Sequence, residues 1–220
     1  MPELDLLTLG DMHGHVEWSR PLHAAVEEVD LIVVTGDLTT FGTPEDAGAI
    51  LDDLESRCGG VLAIAGNCDS VAIIEHLEER GISLHAQGVI IEEHVGICGV
   101  SGSNATPAGT PLEYSEEELA DILARGWLDI ADSDVRIIVH HAPPHGTSCD
   151  LTRSGQHVGV MGLRSFCEQH RPDLVVCGHI HEARSIDAIG PTTVVNGGMA
   201  SEGHGTLVRI RDGELQVELL

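Results

Sequence analysis

Leu4-Asp5-Leu6-Leu7-Thr8-Leu9-Gly10-Asp11-Met12-His13 runs from an apolar stretch into a turn that carries a carboxylate and an imidazole. The pattern returns in Leu31-Ile32-Val33-Val34-Thr35-Gly36-Asp37 and again in Val61-Leu62-Ala63-Ile64-Ala65-Gly66-Asn67-Cys68-Asp69. Short apolar runs bounded by turn residues predict buried strands over 4–9, 31–35 and 61–65. The stretches between and after them, Ser19 to Val29, Pro44 to Arg57 and Ser70 to Arg80, read as helices; Pro44 suits a first helical turn after Thr43, and Gly81 suits a stop. Strand and helix in alternation predict a parallel sheet joined by right-handed crossovers.

Further along, Ile82 to Val100 holds three β-like pieces separated by Gly88 and by Glu92 to His94, followed by a polar loop that reaches Tyr114. Ser115 to Trp127 reads as a helix opened by a capping box of Ser115 and Glu118. Val135 to His140 is a buried strand, Ala142 to Val160 a long polar loop of the kind reserved for binding or catalysis, Met161 to His170 a helix and Asp173 to Cys177 a strand. The tail predicts strands over Ala183 to Ala188, Thr192 to Asn196, Gly205 to Arg211 and Glu214 to Leu219, with Asp212-Gly213 as a two-residue hairpin turn. Mixed βα units followed by a β-meander predict two packed sheets flanked by helices, in one domain over residues 1–220.

The 220 residues are 42% hydrophobic and 21% charged, which excludes disordered, collagen-like and coiled-coil chains. The charge is lopsided: 36 acidic residues stand against 11 basic ones, all arginine, for a formal net charge of −25. Duplex DNA and anionic membranes are bound through Lys and Arg, so both are poor partners for such a surface. At about 1 M salt the Debye length falls to roughly 3 Å, where this surface costs little and aids solubility. With no lysine and 2% aromatic residues, the composition points to a halophilic source. No segment reaches the roughly 18 apolar residues of a membrane span, and Met1 to Leu9 lacks the basic start of a signal peptide. Six cysteines without a CxxC pair predict reduced thiols, and these features together predict a cytoplasmic protein. The oligomeric state stays open, a homo-oligomer included.

Later turns add His140-His141 and Gly178-His179-Ile180-His181 to the donors already met. In an open α/β sheet such turns lie at the carboxyl ends of strands, where ligands bind, so residues scattered in sequence converge in space. Imidazole together with carboxylate suits Zn, Fe or Mn rather than Ca or Mg. Seven donors, one of them a carboxylate able to bridge, are what a two-metal site about 3.5 to 4 Å wide requires. A hydroxide between the ions would be the nucleophile. With the charges of Asp11 and Asp37 counted, the loaded centre keeps roughly +1, which attracts a phosphate ester anion and stabilises the charge of an in-line displacement.

At these residues the sequence resembles the calcineurin-like metallophosphoesterase family, whose pattern is DxH, then GD, then GNxD or GNxE, then a histidine before a Pro pair, then GHxH. Here these stand as Asp11-Met12-His13, Gly36-Asp37, Gly66-Asn67-Cys68-Asp69, His141-Ala142-Pro143-Pro144 and Gly178-His179-Ile180-His181. Ser154-Gly155-Gln156-His157-Val158-Gly159 and Val195-Asn196-Gly197-Gly198 are similar to a small prokaryotic branch of that family. The resemblance implies an α/β fold of four layers, an αββα sandwich of two mixed sheets flanked by helices. It also implies two divalent ions drawn from Mn, Fe, Zn or Ni. Asp11, His13, Asp37 and His181 would hold one ion, and Asp37, Asn67, His141 and His179 the other, with Asp37 as the bridge. The Pro pair selects His141 over His140, which is left as a buried or supporting residue.

The sequence departs from the family at Cys68, where many members carry a histidine that binds or protonates the phosphoryl group. A thiol is a poor general acid, so His15 and His157 become the candidates for that task, beside Asp37 and Asn67 at the catalytic step. Asp69 reads equally as an orienting residue and as the N-cap of the next helix. Arg153 and Arg184 read either as phosphate clamps or as members of surface ion pairs. Cys98 and Cys177 lie in apolar runs and are expected to be inert. The function these residues imply is hydrolysis of a small phosphodiester or phosphomonoester, with diesters favoured. The competing readings are a nuclease of the same family, which the −25 charge opposes, and a scaffold module that has lost its metals. An interaction subunit would need a large exposed apolar patch.

Overall fold

The computed structural model describes residues 3–220. In β1 (Leu4–Leu9), Leu4 and Leu6 join one hydrophobic cluster while Leu7 and Leu9 join another, and in β2 (Leu31–Thr35) Leu31 and Val33 alternate in the same way with Ile32 and Val34. Side chains of a strand alternate in direction, so a strand covered on both faces needs an unbroken apolar run. That is why these segments show no polar alternation.

The first sheet has the order β11-β10-β1-β2-β3, where β3 is Val61–Ile64, β10 is Thr206–Arg211 and β11 is Glu214–Leu219; β1, β2 and β3 are parallel and β10 and β11 close one side antiparallel. The second has the order β4-β5-β6-β7-β9-β8, built from β4 (Gly88–Ile91), β5 (Val95–Val100), β6 (Val135–His140), β7 (Leu174–Cys177), β8 (Ser185–Ile189) and β9 (Thr192–Asn196). Its four inner strands are parallel and both edge strands antiparallel.

Leu6, Val33, Ile97, Ile137, Val176 and Val208 fill the space between the sheets. The outer face of the first sheet is covered by α1 (Arg20–Val26), α2 (Pro44–Arg57) and α3 (Val71–Glu79) through Leu22, Leu51, Leu54, Ile73 and Leu77. The outer face of the second is covered by α4 (Glu116–Ile130) and α5 (Met161–His170) through Leu119, Leu123, Trp127, Leu163 and Cys167. The result is the expected four-layer sandwich, in which each fully buried Leu, Ile or Val contributes about 1.5–3 kcal/mol. No helix among the described residues is long and apolar enough to cross a membrane.

The helix starts follow local chemistry. Thr43 with Asp46 and Ser115 with Glu118 both form reciprocal capping boxes, which satisfy backbone donors that the first turn leaves free. Helix α1 ends at Val26 rather than Val29, because the chain turns there to enter β2 and the Asp30 carboxylate accepts from Asp5 N–H. Of the three β-like pieces expected over 82–100, only two are strands. Residues 82–87 pair only singly, Ser83 with Ala63 beside the first sheet and His85 with Gly99 beside the second. That segment crosses between the sheets and belongs to neither. Asp212 and Gly213 have φ of 52° and 82°, the left-handed pair that a tight hairpin between β10 and β11 requires.

Candidate metal centre

Five parallel strands end at one edge of the sandwich, and each end delivers a donor: β1 to Asp11 and His13, β2 to Asp37, β3 to Asn67, β6 to His141, and β7 to His179 and His181. The turns are tight. Asp11, His13, Asp37 and His179 all have left-handed φ, from 47° to 67°, a conformation that side-chain-bearing residues avoid and that persists where the surroundings impose it. The surroundings here are an interlocked ladder in which Asp11 N–H donates to Gly36 O at 3.0 Å and the N–H groups of Met12 and His13 both donate to Asp37 O, at 2.9 and 3.0 Å. A Cβ on Gly66 would strike the Asp37 carboxylate and one on Gly178 would strike that of Asp11, so glycine at both places is a packing requirement.

The donor atoms of Asp11, His13, Asp37 and His181 all lie within 4.8 Å of one another. His181 Nε2 is 3.2 Å from Asp11 Oδ1 and 3.3 Å from His13 Nε2, and His13 Nε2 is 3.8 Å from Asp37 Oδ2. Beside this group, His141 Nε2 approaches Asn67 Oδ1 at 2.9 Å and Asp37 Oδ1 at 3.5 Å, and the rings of His141 and His179 have centroids 5.1 Å apart. Carboxylate, amide and imidazole acceptors that converge in this way repel one another unless a proton or a cation lies among them. The donor set thus fits divalent ions.

The protonation pattern says the same. His141 is pushed up to about 9: burial alone would lower it, and the Asp37 carboxylate overrides burial. Asp37 is held well below the usual carboxylate range by His141 and by Cys68 N–H, against the upward pull of its own burial. His179 is pushed down to about 4 by burial and by His141, while His181 is raised by its hydrogen bond to Asp11. Metal binding replaces such protons, because ligands bind deprotonated.

Behind the donors stand groups that aim them. His141 Nδ1 donates to Thr35 O at 2.9 Å, which leaves Nε2 as the ligating atom, and His13 Nδ1 meets Thr40 Oγ1 at 3.1 Å. Asn67 Nδ2 donates to Thr110 Oγ1 at 2.9 Å, which turns its oxygen toward His141. Asp69 is fully buried and accepts from the N–H groups of Leu38, Thr39 and Gly66 and from Thr39 Oγ1, all within 3.0 Å. Of its two expected roles it therefore takes the orienting one, fastening the Asp37 loop to the Asn67 loop. Burial and the nearby Asp37 raise it to about 6.

The other expectations sort clearly. His140 is buried on the helix side of β6 and its Nδ1 has no partner, so it is not among the converging donors. Cys68 is a half-buried thiol pushed up to about 12 by desolvation and by Asp37, so it stays protonated. Cys98 and Cys177 are buried. Arg184 is taken up by main-chain oxygens, donating to Gly197 O at 3.2 Å and to Leu220 O, just past β11, at 2.6 Å. Arg153 is exposed, and its N–H donates to Glu182 Oε1 at 3.3 Å. His15 lines a cavity of about 610 Å³ that opens beside His13, together with Val16, Trp18, Thr40, Ile50 and Asp53. His157 lies in the loop that follows His141, paired with Asp150 at 2.6 Å. Thr35 and Thr110 shape the site without a signal in the sequence. A backbone carbonyl has no side-chain signature, and Thr110 sits in a loop without a spacing pattern.

Two sheets that aim carboxylates and imidazoles at one edge define a metal-binding phosphoesterase fold. The chain belongs to the calcineurin-like phosphoesterase family, whose pattern matches residues 4–183. It is 34% identical over 201 residues to an uncharacterized protein of Methanocaldococcus jannaschii, covering 88% of this chain and 87% of that one. Its fold is similar to that of a Thermus thermophilus protein, with a TM-score of 0.75, 17% identity and 99% of both chains covered. It is also similar to that of a dimetal phosphatase from Danio rerio, with a TM-score of 0.68 and 12% identity over 98% of this chain and 95% of that one. The family uses a dinuclear metal centre, and Asp11, His13, Asp37 and His181 form a candidate metal site here.

Proposed function

We propose that this protein hydrolyses a small phosphodiester, in preference to a monoester, at a centre of two divalent ions. One ion is held by Asp11, His13, Asp37 and His181 and the other by Asp37, Asn67, His141 and His179, in a single domain spanning residues 1–220. The observation that carries the reading is the convergence of four donors within 4.8 Å, with Asn67 and His141 meeting on the far side of the same Asp37 carboxylate. When bound, the ions neutralise phosphoryl charge and activate a water for attack on phosphorus. The chain does the rest: Asp37 turns one oxygen toward His13 and the other toward His141 and would serve both ions, the Thr35 carbonyl fixes the His141 tautomer, and Asp69 keeps the two loops in register.

The lean to diesters rests on charge. Two carboxylates against two divalent ions leave a small positive excess of roughly +1 to +2, which suits a singly charged ester. The cavity beside His13 has room for an organic arm of the substrate, and the arginine that lines it, Arg57, is already engaged by Asp53 at 3.0 Å and by the Trp18 ring at 4.1 Å. Among the described residues that line the cavity, no free arginine is left for a second phosphate. The −25 charge supports work in concentrated salt and speaks against a nuclease, and the free thiols suit a reducing cytoplasm.

The test is hydrolysis of bis-p-nitrophenyl phosphate and of p-nitrophenyl phosphate by metal-stripped protein given Mn, Zn, Ni or Mg in turn, at low and at multimolar KCl. The expected outcome is metal-dependent turnover of the diester, faster than that of the monoester, rising with KCl, and reduced about 1,000-fold in Asp37→Asn. Faster turnover of the monoester would overturn the diester preference. Failure to take up metal in calorimetry would move the protein to a scaffold role.

A further inference from the structure

We propose that His157, held by the buried carboxylate of Asp150, gives the proton that the departing alcohol oxygen needs; this rests on the hydrolase reading above. Asp150 is completely buried, and both of its oxygens are filled by donors. Oδ1 accepts from His157 Nδ1 at 2.6 Å and Thr147 N at 2.9 Å, and Oδ2 from the N–H groups of Gly146 and Gly159, each at 3.0 Å. Burial alone would raise its pKa, but His157 and the three amides hold it below the usual carboxylate range. An ionised carboxylate only accepts, so His157 Nδ1 must carry a hydrogen, and Nε2 is left as the working atom. The ring itself is 39% exposed. A buried carboxylate that orients a half-exposed imidazole is the arrangement that proton transfer requires.

The loop that carries this pair leaves β6 immediately after His141 and rides on the same frame as His179 and His181. Asn196 Nδ2 donates to Cys149 O, beside Asp150, and also to Gly178 O and Ile180 O, on either side of His179. Arg153 N–H donates to Glu182, the residue after His181, and Asn104 Nδ2 donates to Val158 O. Leu151 pairs with His157 across a turn closed by Thr152 N–H on Gln156 O at 2.9 Å. His157 is thus pinned on both sides in the loop that follows His141 and that Asn196 ties to the His179 turn, with the His145 ring 5.8 Å away. By contrast, the imidazole of His15 has no hydrogen-bond partner among the described residues and cannot be oriented in this way.

In the step proposed, the oxygen of water bonds to phosphorus and the bond from phosphorus to the alcohol oxygen breaks, with its electron pair going to that oxygen. In its Nδ1–H tautomer His157 Nε2 takes a proton from the attacking water and passes it to the alcohol oxygen. His157 keeps Nδ1–H on Asp150 throughout and ends neutral as it began, so ester and water become acid and alcohol with nothing left over.

The experiment compares diesters with leaving groups from 4-nitrophenol, which departs without a proton, to unsubstituted phenol. For His157→Gln the expected result is a loss below about threefold on the nitrophenyl ester and about 100-fold on the phenyl ester, with metal stoichiometry in calorimetry unchanged. Nitrogen NMR of the metal-free protein should find His157 as the Nδ1–H tautomer and should find that preference gone in Asp150→Asn. An equal loss on both esters, or the Nε2–H tautomer in the parent protein, would overturn the assignment. Absence of turnover by the parent protein with every ester and metal would instead remove the hydrolase reading, and this step with it.

Discussion

His141 and His181 follow neighbouring strands, β6 and β7, and both face the carboxylates of the donor cluster, yet the side chain of His141 is fully buried while that of His181 is 38% exposed. His141 is held at both nitrogens, by the Thr35 carbonyl and by Asn67, and Asn67 is in turn held by Thr110. His181 touches Asp11 and His13 through Nε2, and among the described residues nothing holds its Nδ1. One half of the proposed centre is thus organised by the protein's own hydrogen bonds, and the other stays open to solvent. A preorganised donor contributes to folding as well as to binding, whereas an open donor contributes mainly to binding.

The sharpest way to break this contrast is to remove each imidazole. His141→Ala leaves the Thr35 carbonyl and the Asn67 amide without their partner and opens a hole, at a cost of about 2–4 kcal/mol to the metal-free protein. His181→Ala should cost less than about 1 kcal/mol while both variants lose metal-dependent turnover. Thermal melts of the stripped proteins decide it, and equal destabilisation would end the distinction.

A smaller effect is expected one step back from the donors. Asp69→Asn puts an amide NH₂ against backbone N–H groups that now point at a carboxylate oxygen, at a cost of about 1–3 kcal/mol. Because Asp69 fastens both the Asp37 and the Asn67 loops, metal affinity should fall about 10- to 100-fold, read by calorimetry. Affinity unchanged beside a large loss of stability would show that Asp69 supports the fold and not the centre.

The smallest effect concerns the 104–114 loop that holds Asn67. Glu113 accepts from the hydroxyls of Thr106 and Thr110, each at 2.6 Å, and from Thr110 N–H, and Thr110 is the residue that orients Asn67. Partial burial works against ionisation, but these donors win and bring Glu113 down to about 2 from an ordinary 4.5. A carboxyl lowered on folding stabilises the folded state above its unfolded pKa, and that contribution is lost as pH falls through the folded value. Glu113→Gln should therefore melt below the parent protein at pH 7, with the gap closing as pH drops from about 4.5 toward about 2. A gap independent of pH would assign the effect to packing.

Much of the centre was legible before folding was considered. Asp11, His13, Asp37, His179 and His181 each follow an apolar run and a tight turn, and an apolar run that ends in metal-binding side chains has few other uses. The capping boxes at Thr43 and Ser115 were equally visible, because they depend on residues three apart. The segment at 82–87 was not, since its pairing depends on two strands of different sheets. Asp69 allowed two readings because an N-cap and a loop-fastening carboxylate have the same local sequence. The role of Asp150 was not legible either: its spacing from Thr147 marks only a capping box, whereas its value lies in being buried within reach of a histidine seven residues further on.

The sequence by itself determined the element order, the double burial of the strands, the chemistry of the donors and the acidic exterior, because these follow from side-chain type and period along the chain. Only the tertiary structure decided which imidazole is sealed and which is open, which carbonyl fixes His141, and that Asp150 orients His157. Those outcomes are set by distances and burial between segments far apart in the chain, and neither quantity is a property of any residue alone.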